Sequence, residues 1–410
     1  MDKTGAVIRF RELLPLYAVI FLGFLGFALT ITLFIPMLMD DKFSLLAVDT
    51  PSSQRAALSG FLLAMYPLGQ FFGSPVIGNL SDYFGRKKVL IFSLIASFFG
   101  FISMALSIEF HLLALLFVSA FLTGLCESNM AISQSVIVDL AHDTTQKTKL
   151  IGYAYSACSL GYIVGPLLGG TGGTLLGYSV PFWITALGVF CLVLWVSCSF
   201  NDKFIPKRDV RLNILKSIVA VKSVLNAPKL YKIYAINFLI FFSVQGLYRV
   251  VPLYVVDEWD PSLHSYSLLI SFVSLVCFIS NLFLLGRLSK IFPTKNLLAG
   301  LLLTGGALVI MIVLPTHFNW IWLTFGVAVI PTVMALPVCT TWLSEHVKSE
   351  EQGQVLGNNQ ALLVLGESTS AAIGGVIAAV LIPLPVIVMG VILLISGMVV
   401  VKISPLPPGS

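Results

Sequence analysis

Three ionisable side chains fall deep inside long apolar runs of this sequence: Glu127, Arg249 and Glu367. A charge inside a membrane-spanning helix costs about 2.5 to 3.5 kcal/mol or more, so such residues are functional candidates. A carboxyl group held away from water binds a proton more readily, as proton exchange requires. We predict that Glu127 is the first candidate for proton coupling and Glu367 the second. Arg249 either neutralises an anionic group of a substrate or pairs with one of the glutamates.

Polar residues recur at helical spacing around these three positions. The stripes join Thr123 and Gln134 to Glu127, Gln245 and Tyr248 to Arg249, and Gln360 and Ser370 to Glu367. Residues three, four or seven apart lie on one helix face. A static buried ion pair or a hydrogen-bonded acid would produce the same pattern, so the stripes alone leave both interpretations open.

A charged cluster, GNLSDYFGRKK, begins at Gly78 and lies between two apolar runs. Gly78 would allow close helix packing, and Gly85 can adopt a positive φ in a tight turn. Asp82 can cap a helix or pair with Arg86. The basic residues Arg86, Lys87 and Lys88 could simply mark the inner side of a membrane, but topology needs no Asp, Gly or fixed spacing.

A second motif has the spacing G-x8-G-x3-G-P-x2-G-G and consists of Gly152, Gly161, Gly165, Pro166, Gly169 and Gly170. Proline removes a helix hydrogen bond and the glycines remove side chains, which predicts a bend and close packing. The glycines at 357, 366, 374 and 375 repeat the motif at an offset of 205 residues, and Gly286, Leu288 and Ser289 repeat the charged cluster at 208. Two repeats at nearly one offset predict an internal duplication.

The composition predicts a membrane protein. The chain has 410 residues, of which 57% are apolar and 10% charged, whereas soluble domains average about 25% charged residues. A helix needs about 20 apolar residues to cross a bilayer. Twelve runs qualify: 14–39, 55–78, 89–108, 112–140, 150–176, 181–200, 231–256, 265–286, 296–315, 319–343, 353–381 and 384–401. The predicted fold is all-α and integral to the membrane, with twelve helices in two pseudo-symmetric six-helix bundles.

The distribution of basic residues predicts the orientation. Of 24 Lys and Arg residues, 21 lie on the side of the N-terminus, which places both termini in the cytoplasm. The predicted organisation is an N-terminal bundle at 1–200, a basic cytoplasmic linker with an amphipathic helix at 201–230, and a C-terminal bundle at 231–410. The net charge of +5 is explained by topology and does not indicate nucleic-acid binding.

The sequence lacks the residues that several other classes of protein require. The six cysteines stand singly in apolar stretches, so neither a disulfide framework nor a metal site is predicted, and no cofactor is expected. An enzyme would need a nucleophile, base or metal constellation, and none is found. A receptor or scaffold would usually add a soluble domain, whereas no connection exceeds about 30 residues. The expected partners are a small molecule and the lipid bilayer, with the protein a monomer.

The two motifs resemble those of the major facilitator superfamily, in its twelve-helix drug:proton antiporter branch. The N-terminal half is most similar to bacterial tetracycline-efflux proteins. The resemblance implies a bacterial inner-membrane location and a cytoplasmic gate of Gly78, Asp82, Gly85, Arg86 and Asp139, closed in the outward-facing state. It also implies that the second motif prevents leak. Spans 4 and 7 would line a cavity, which predicts these substrate contacts: Thr123, Gln134, Gln245, Tyr248, Arg249 and Gln360.

One departure from the tetracycline-efflux pattern affects the predicted substrate. Span 1 contains no acid and the matching part of span 4 no Arg, although those proteins carry both. Either the substrate has changed or the proton site has moved to Glu127. The leading prediction is proton-coupled efflux of an amphipathic compound by alternating access. The alternative is a proton-coupled carrier, for import or export, of an anionic metabolite such as a carboxylate siderophore, which Arg249 favours.

Overall fold

The computed structural model describes residues 10–40, 43, 45–47, 49–127, 129–139, 144–199, 219, 222–224, 230–347 and 352–403. These residues form long helices and no strand. The first half of the chain contains α1 (Phe10–Met39), α2 (Ser52–Phe84), α3 (Arg86–Glu109), α4 (Leu113–Cys126), α5 (Asn129–Asp139), α6 (Thr144–Leu176) and α7 (Val180–Ser199). The second half contains α8 (Tyr231–Trp259), α9 (Leu263–Ile279), α10 (Leu285–Ile291), α11 (Thr294–Ile310), α12 (Phe318–Ser344), α13 (Gln352–Val380) and α14 (Leu384–Lys402).

The predicted membrane fold is confirmed. Eleven described helices are long and apolar enough to cross a membrane, and α4 is a shorter apolar helix. Together α4 and α5 occupy predicted span 4, which is broken at Glu127. Span 8 is continuous but contains a π-helical turn, Ser280–Leu284, between α9 and α10. Breaks of this kind within a membrane are tolerated where protein surrounds the backbone, and they often mark functional sites.

Equivalent contacts in the two halves support the predicted duplication. In the first half α3 packs on α7, and in the second half α11 packs on α14. Lys87 Nζ donates to Ser197 O at 2.8 Å, and Lys295 Nζ donates to Val401 O at 3.1 Å. The two lysines are 208 residues apart, the offset of the repeated cluster. Each binds carbonyls at a helix C-terminus, where the helix dipole favours a cation.

The helices alternate between two ends of the molecule, here called the termini face, where α1 begins and α14 ends, and the distal face. The halves pack through α2 on α13 and α6 on α9. Toward the distal face, a Cβ at Gly60 of α2 would lie 2.6 Å from Gly375 Cα of α13. A Cβ at Gly170 of α6 would collide with Ser267 of α9. The halves are therefore in direct contact near the distal face.

Four glycines near the termini face have open space beside them within the described part of the chain. No described atom lies within 4 Å of a Cβ built at Gly78, Gly152, Gly286 or Gly357. These glycines lie on α2, α6, α10 and α13, close to the termini face. The glycine contacts between the halves are thus found near the distal face, and the close helix packing predicted at Gly78 is not seen among the described residues.

Most of the predicted linker, 201–230, lies outside the described residues, including the leucines expected to form its amphipathic helix. Within the described part, Ser223 accepts a hydrogen bond from Asn358 Nδ2 at 2.9 Å. Val224 beside it is buried. This end of the linker therefore contacts α13.

Candidate functional site

Glu127 lies where the helix of span 4 is interrupted. It caps the C-terminus of α4, its N–H donates to Thr123 O at 2.8 Å, and its side chain is buried. The hydroxyl of Tyr66, on α2, donates to Glu127 Oε2. Tyr66 is itself buried. Glu127 is therefore a hydrogen-bonded acid inside the first half of the molecule, and Tyr66 is a partner that orients its carboxyl group.

Glycines bring Tyr66 close to Glu127. A Cβ at Gly69 or Gly73 of α2 would collide with the backbone of α4, and a Cβ at Gly124 would collide with the backbone at Tyr66. Small residues four apart allow membrane helices to approach backbone to backbone. A side chain at any of these three glycines would separate α2 from α4 and weaken the Tyr66 hydrogen bond.

Arg249 and Glu367 form an ion pair between α8 and α13. Arg249 Nη2 lies 2.5 Å from Glu367 Oε1, and both side chains are buried. Arg249 Nη1 also donates to Gln245 O at 2.9 Å. An opposite charge at this distance compensates for burial, whereas a lone buried charge would be far more costly. Of the two roles predicted for Arg249, the structure shows the second, an ion pair with a glutamate, Glu367.

Phe27 of α1 connects these two acidic sites. Its ring centroid lies 5.5 Å from Arg249 Cζ, within the range of a cation–π interaction. The same ring lies 5.2 Å from the Tyr66 ring and 6.0 Å from the Tyr162 ring. We call Phe27, Tyr66, Glu127, Tyr162, Arg249 and Glu367 the central cluster. It contains two carboxyl groups, one guanidinium and three aromatic rings.

A small cavity adjoins the central cluster on the distal side. It lies between α1, α2, α8 and α13, and its lining includes Ser59, Leu63, Arg249, Leu253 and Gly375. The Gly60–Gly375 contact forms part of its wall. Arg249 is the only charged residue in this lining.

Three of the predicted cavity residues, Thr123, Gln134 and Gln360, lie outside the central cluster. Thr123 is buried, donates to Ser119 O at 2.6 Å and lies against Gly100 of α3. The predicted stripe from Thr123 to Gln134 does not lie on one helix, because α4 ends at Cys126, before Glu127, and Gln134 belongs to α5. Gln134 is partly exposed on α5, and Gln360 is exposed on α13. Neither belongs to the central cluster, and the role of all three in substrate binding stays a prediction.

The two predicted contacts on α8 lie beside Arg249. Gln245 contributes its carbonyl to the guanidinium. Tyr248 Oη shares a hydrogen bond of 3.1 Å with Cys277 Sγ of α9. Tyr248 therefore contacts span 8, whereas Arg249 contacts span 11.

The charged cluster at residues 78–88 forms the connection between α2 and α3. Gly85 joins them with φ of +97°, which is the positive φ predicted for this glycine. Asp82 is partly buried at the end of α2, and Arg86 begins α3. The side chain of Asp139 lies outside the described residues, so the predicted gate network of Asp82, Arg86 and Asp139 stays a prediction.

Most of the second motif packs α6 on α1. Cβ atoms built at Gly161 and Gly165 would lie 2.7 and 2.8 Å from Phe21 O and Leu25 O of α1, and Gly169 faces Leu29. Pro166 lies inside α6, which is continuous from Thr144 to Leu176. Among the motif glycines with a described neighbour, Gly170 is the one that faces the other half of the chain, at Ser267 of α9.

Phe27 is a residue of the cluster that the sequence reasoning missed. It ends the run FLGFLGF at residues 21–27, in which three phenylalanines follow at intervals of three. Because span 1 contains no charged residue, the sequence reasoning gave it no candidate. The signal that could have pointed to it is the regular spacing of Phe21, Phe24 and Phe27 in span 1.

Metal coordination was not predicted, and among the described residues no group of three or more His, Cys, Asp or Glu side chains comes together. The two acids of the central cluster have different partners: Glu127 binds Tyr66 of α2, and Glu367 of α13 binds Arg249 of α8.

Comparisons with known proteins agree with this architecture. The sequence model of the Major Facilitator Superfamily matches residues 16–258 and 233–410. Tetracycline resistance protein, class B, of Escherichia coli is 28% identical over 371 residues, covering 86% of this chain and 87% of that protein. Multidrug resistance protein 2 of Bacillus subtilis is 25% identical over 344 residues, covering 82% and 84%. The crystal structure of a D-xylose-proton symporter superposes with a TM-score of 0.70 at 16% identity, covering 96% and 98% of the two chains.

Proposed function

This chain belongs to the Major Facilitator Superfamily, and from that premise we propose that it exports an amphipathic small molecule across a bacterial inner membrane in exchange for protons. That the chain is a membrane transporter of small molecules follows from the family and the fold. Relatives named for resistance to tetracycline and to multiple drugs support drug efflux. The central cluster provides the groups that such a cycle needs.

The observation that carries the proposal is the placement of two buried acids in the middle of the molecule, one in each half. Glu127 has a tyrosine hydroxyl as its partner and Glu367 a guanidinium. An acid whose partner is a neutral hydroxyl can gain a proton without leaving a cation unpaired, whereas protonating Glu367 would leave Arg249 uncompensated. Glu127 is therefore the proposed proton-coupling residue, with Glu367 second.

Alternating access is proposed from the pattern of contacts between the halves. They touch at Gly60 and Gly375 near the distal face, whereas no described atom lies within 4 Å of a Cβ built at Gly78 or Gly357 near the termini face. With the termini in the cytoplasm, as the positive-inside distribution predicts, this is the cytoplasm-open state. Export would require the distal contacts to part and the gate beside Gly78 to close. The bundles at 1–200 and 231–410 would be the moving bodies, connected by the linker at 201–230.

The alternative, a carrier of an anionic metabolite, was favoured by Arg249. In this conformation the guanidinium is already paired with Glu367, so it offers no uncompensated positive charge to an anion. The pairing supports the leading proposal over the alternative. We further propose that the protein acts as a monomer without a cofactor, with the proton gradient as its energy source.

Reconstituted protein tests the proposed function. A pH gradient imposed on proteoliposomes should drive movement of tetracycline or of ethidium, and an uncoupler that dissipates the gradient should stop it. Liposomes without protein are the control for passive permeation. If neither these compounds nor a panel of other amphipathic drugs moves, while a carboxylate-rich siderophore does, the alternative function is correct.

A further inference from the structure

We propose that Ser271 and Ser368 of the second half form a pair of latch residues, which hold the halves together near the distal face by donating hydrogen bonds to backbone carbonyls of the first half. The inference rests on the alternating access proposed above and names side chains that set the balance between its two states. It follows from the direction of these hydrogen bonds, from two prolines beside the acceptors and from the internal duplication.

Both serines are buried, and both donate across the boundary between the halves. Ser271 Oγ of α9 donates to Ile163 O of α6 at 3.1 Å. Ser368 Oγ of α13 donates to Ala64 O of α2 at 3.1 Å. By contrast, the hydroxyl of Ser274, also on α9, donates to a carbonyl of its own helix. A serine in a helix can return to such an internal bond, so the bonds across the boundary can break without leaving the hydroxyl unpaired.

Each acceptor carbonyl lies three residues before a proline within its helix. Pro166 follows Ile163 in α6. Pro67 follows Ala64 in α2. Proline has no N–H, and its ring displaces the carbonyls of the preceding turn, so this turn opens and can accept a hydrogen bond from outside the helix. Inside a membrane, where water is absent, serine hydroxyls of neighbouring helices supply such donors. The prolines of the first half therefore create acceptors for the serines of the second.

The two contacts are copies of one contact in the duplicated sequence. Ser368 lies 205 residues after Ile163, which is the offset of the glycine motif. Ser271 lies 207 residues after Ala64, within one residue of the offset of the charged cluster. In both copies the first half provides the carbonyl and the second half provides the hydroxyl. The positions equivalent to the two prolines hold no proline in the second half, so acceptor and donor are divided between the halves.

The latch hydrogen bonds lie next to the glycine contacts near the distal face. In α2, Ala64 follows Gly60 by four residues. In α9, Ser271 follows Ser267 by four residues, and Ser267 is the residue that faces Gly170. The glycines allow the helices to approach, and the hydroxyls bond one turn nearer the middle of the molecule. Separation of the halves at the glycines therefore requires both latch bonds to break.

Two cysteine reporters in the purified full chain, in a background without the native cysteines, test this assignment. Ser59 is buried and lines the cavity between the halves, so Ser59→Cys should react with a maleimide when the distal contacts part. Gly357→Cys reports on the termini face, where Gly357 is exposed in this conformation. Ser271→Ala or Ser368→Ala should raise labelling at the first reporter about threefold and lower it at the second, because loss of one neutral hydrogen bond shifts an equilibrium by about two- to tenfold.

Ser274→Ala and Thr369→Val are the matched controls, because each removes a hydroxyl from the same helix as one latch residue. Ser274 Oγ donates to Ile270 O and Thr369 Oγ1 donates to Leu365 O, so both hydroxyls bond within their own helices. Both controls should label like the wild-type protein. Size-exclusion profiles check that all variants fold. Wild-type labelling in the serine variants would overturn the proposal, as would faster labelling at both reporters, which indicates a loosened fold.

Double variants test the part assigned to the prolines. Pro166→Ala restores an N–H and lets the turn close, so Ser271→Ala should have little further effect in that background, whereas Ser368→Ala should keep its full effect. In the Pro67→Ala background the two serine variants should exchange these outcomes. Equal coupling in the matched and the crossed pairs would overturn the assignment.

Labelling is measured without substrate or a gradient, so it is independent of transport. A protein whose labelling changes as expected in the serine variants but which exports nothing would refute the proposed function alone. Gradient-driven export by a protein whose serine variants label like the wild type would refute only this inference.

Discussion

Gly60 of α2 and Gly375 of α13 touch through their backbones, so neither position has room for a side chain. A Cβ at Gly60 would lie 2.6 Å from Ala371 O, and one at Gly375 would lie 2.7 Å from Gly60 Cα. These distances are shorter than carbon atoms tolerate without backbone movement. The two halves of the molecule therefore close near the distal face by direct contact of two helices.

Gly375→Ala is expected to shift the protein away from this conformation, because its methyl group would push α13 from α2. A cysteine introduced at Gly357, which is exposed in this conformation, should become less reactive toward a maleimide in a background without the native cysteines. The matched control is Gly300→Ala, since a Cβ at Gly300 meets no described atom within 4 Å. Equal labelling in the two variants would show that the Gly60–Gly375 contact does not limit closure.

Glu127→Gln is expected to abolish proton-coupled transport, because the amide keeps the size of the side chain but cannot carry an exchangeable charge. Tyr66→Phe should weaken coupling less, since it removes only the hydrogen bond to Glu127. Transport is measured in proteoliposomes with an imposed pH gradient.

Glu109→Gln is the control for Glu127→Gln, as Glu109 is an acid at the end of α3 that accepts from Trp183 Nε1 at 3.0 Å. It should retain gradient-driven transport. Full coupling in Glu127→Gln would rule out Glu127 and leave Glu367 as the candidate.

Loss of one partner of the Arg249–Glu367 pair is expected to destabilise the protein more than loss of both. Removing either partner leaves a buried charge, at a cost of about 3 to 5 kcal/mol, whereas removing both leaves none. Arg249→Leu, Glu367→Leu and the double variant can be compared by thermal unfolding in detergent at pH 7.5. Additive losses in the double variant would show that the two side chains are not coupled.

Asp82→Asn is expected to impair transport, whereas Lys290→Asn should have little effect. The two positions are equivalent in the duplicated sequence, but only the first copy keeps the Asp, Gly and Arg of the predicted gate. Both variants change one charge, so altered topology alone would affect them to a similar extent. Transport assays combined with cysteine labelling at Gly357 would separate a gate defect from a folding defect.

Lys87→Ala and Lys295→Ala are expected to have small and similar effects on stability. Each lysine binds a carbonyl near the C-terminus of the last helix of its half, Ser197 O or Val401 O. Exposed interactions of a cation with a helix C-terminus contribute about 0.3 to 1 kcal/mol. A melting temperature lowered in only one of the two variants would contradict the proposed equivalence of these contacts.

Much of the fold was predictable because it follows from local rules. A helix in lipid must satisfy its own backbone hydrogen bonds, so the length of each apolar run fixes a span. The turn at Gly85 was likewise predictable, because glycine is the residue that adopts a positive φ without strain. The break at Glu127 was not predicted, because Thr123, Glu127 and Gln134 were interpreted as one polar stripe on a continuous helix.

The sequence by itself determined the twelve spans, the internal duplication and the three ionisable residues within the membrane. Only the tertiary structure decided which of them meet: Arg249 with Glu367, and Glu127 with Tyr66. It also placed Phe27, from a span without charges, between the two acids. Spacing along one helix says which side chains share a face, but not which helix lies opposite. That choice depends on glycines such as Gly69, Gly124 and Gly375, whose missing side chains allow particular helices to touch.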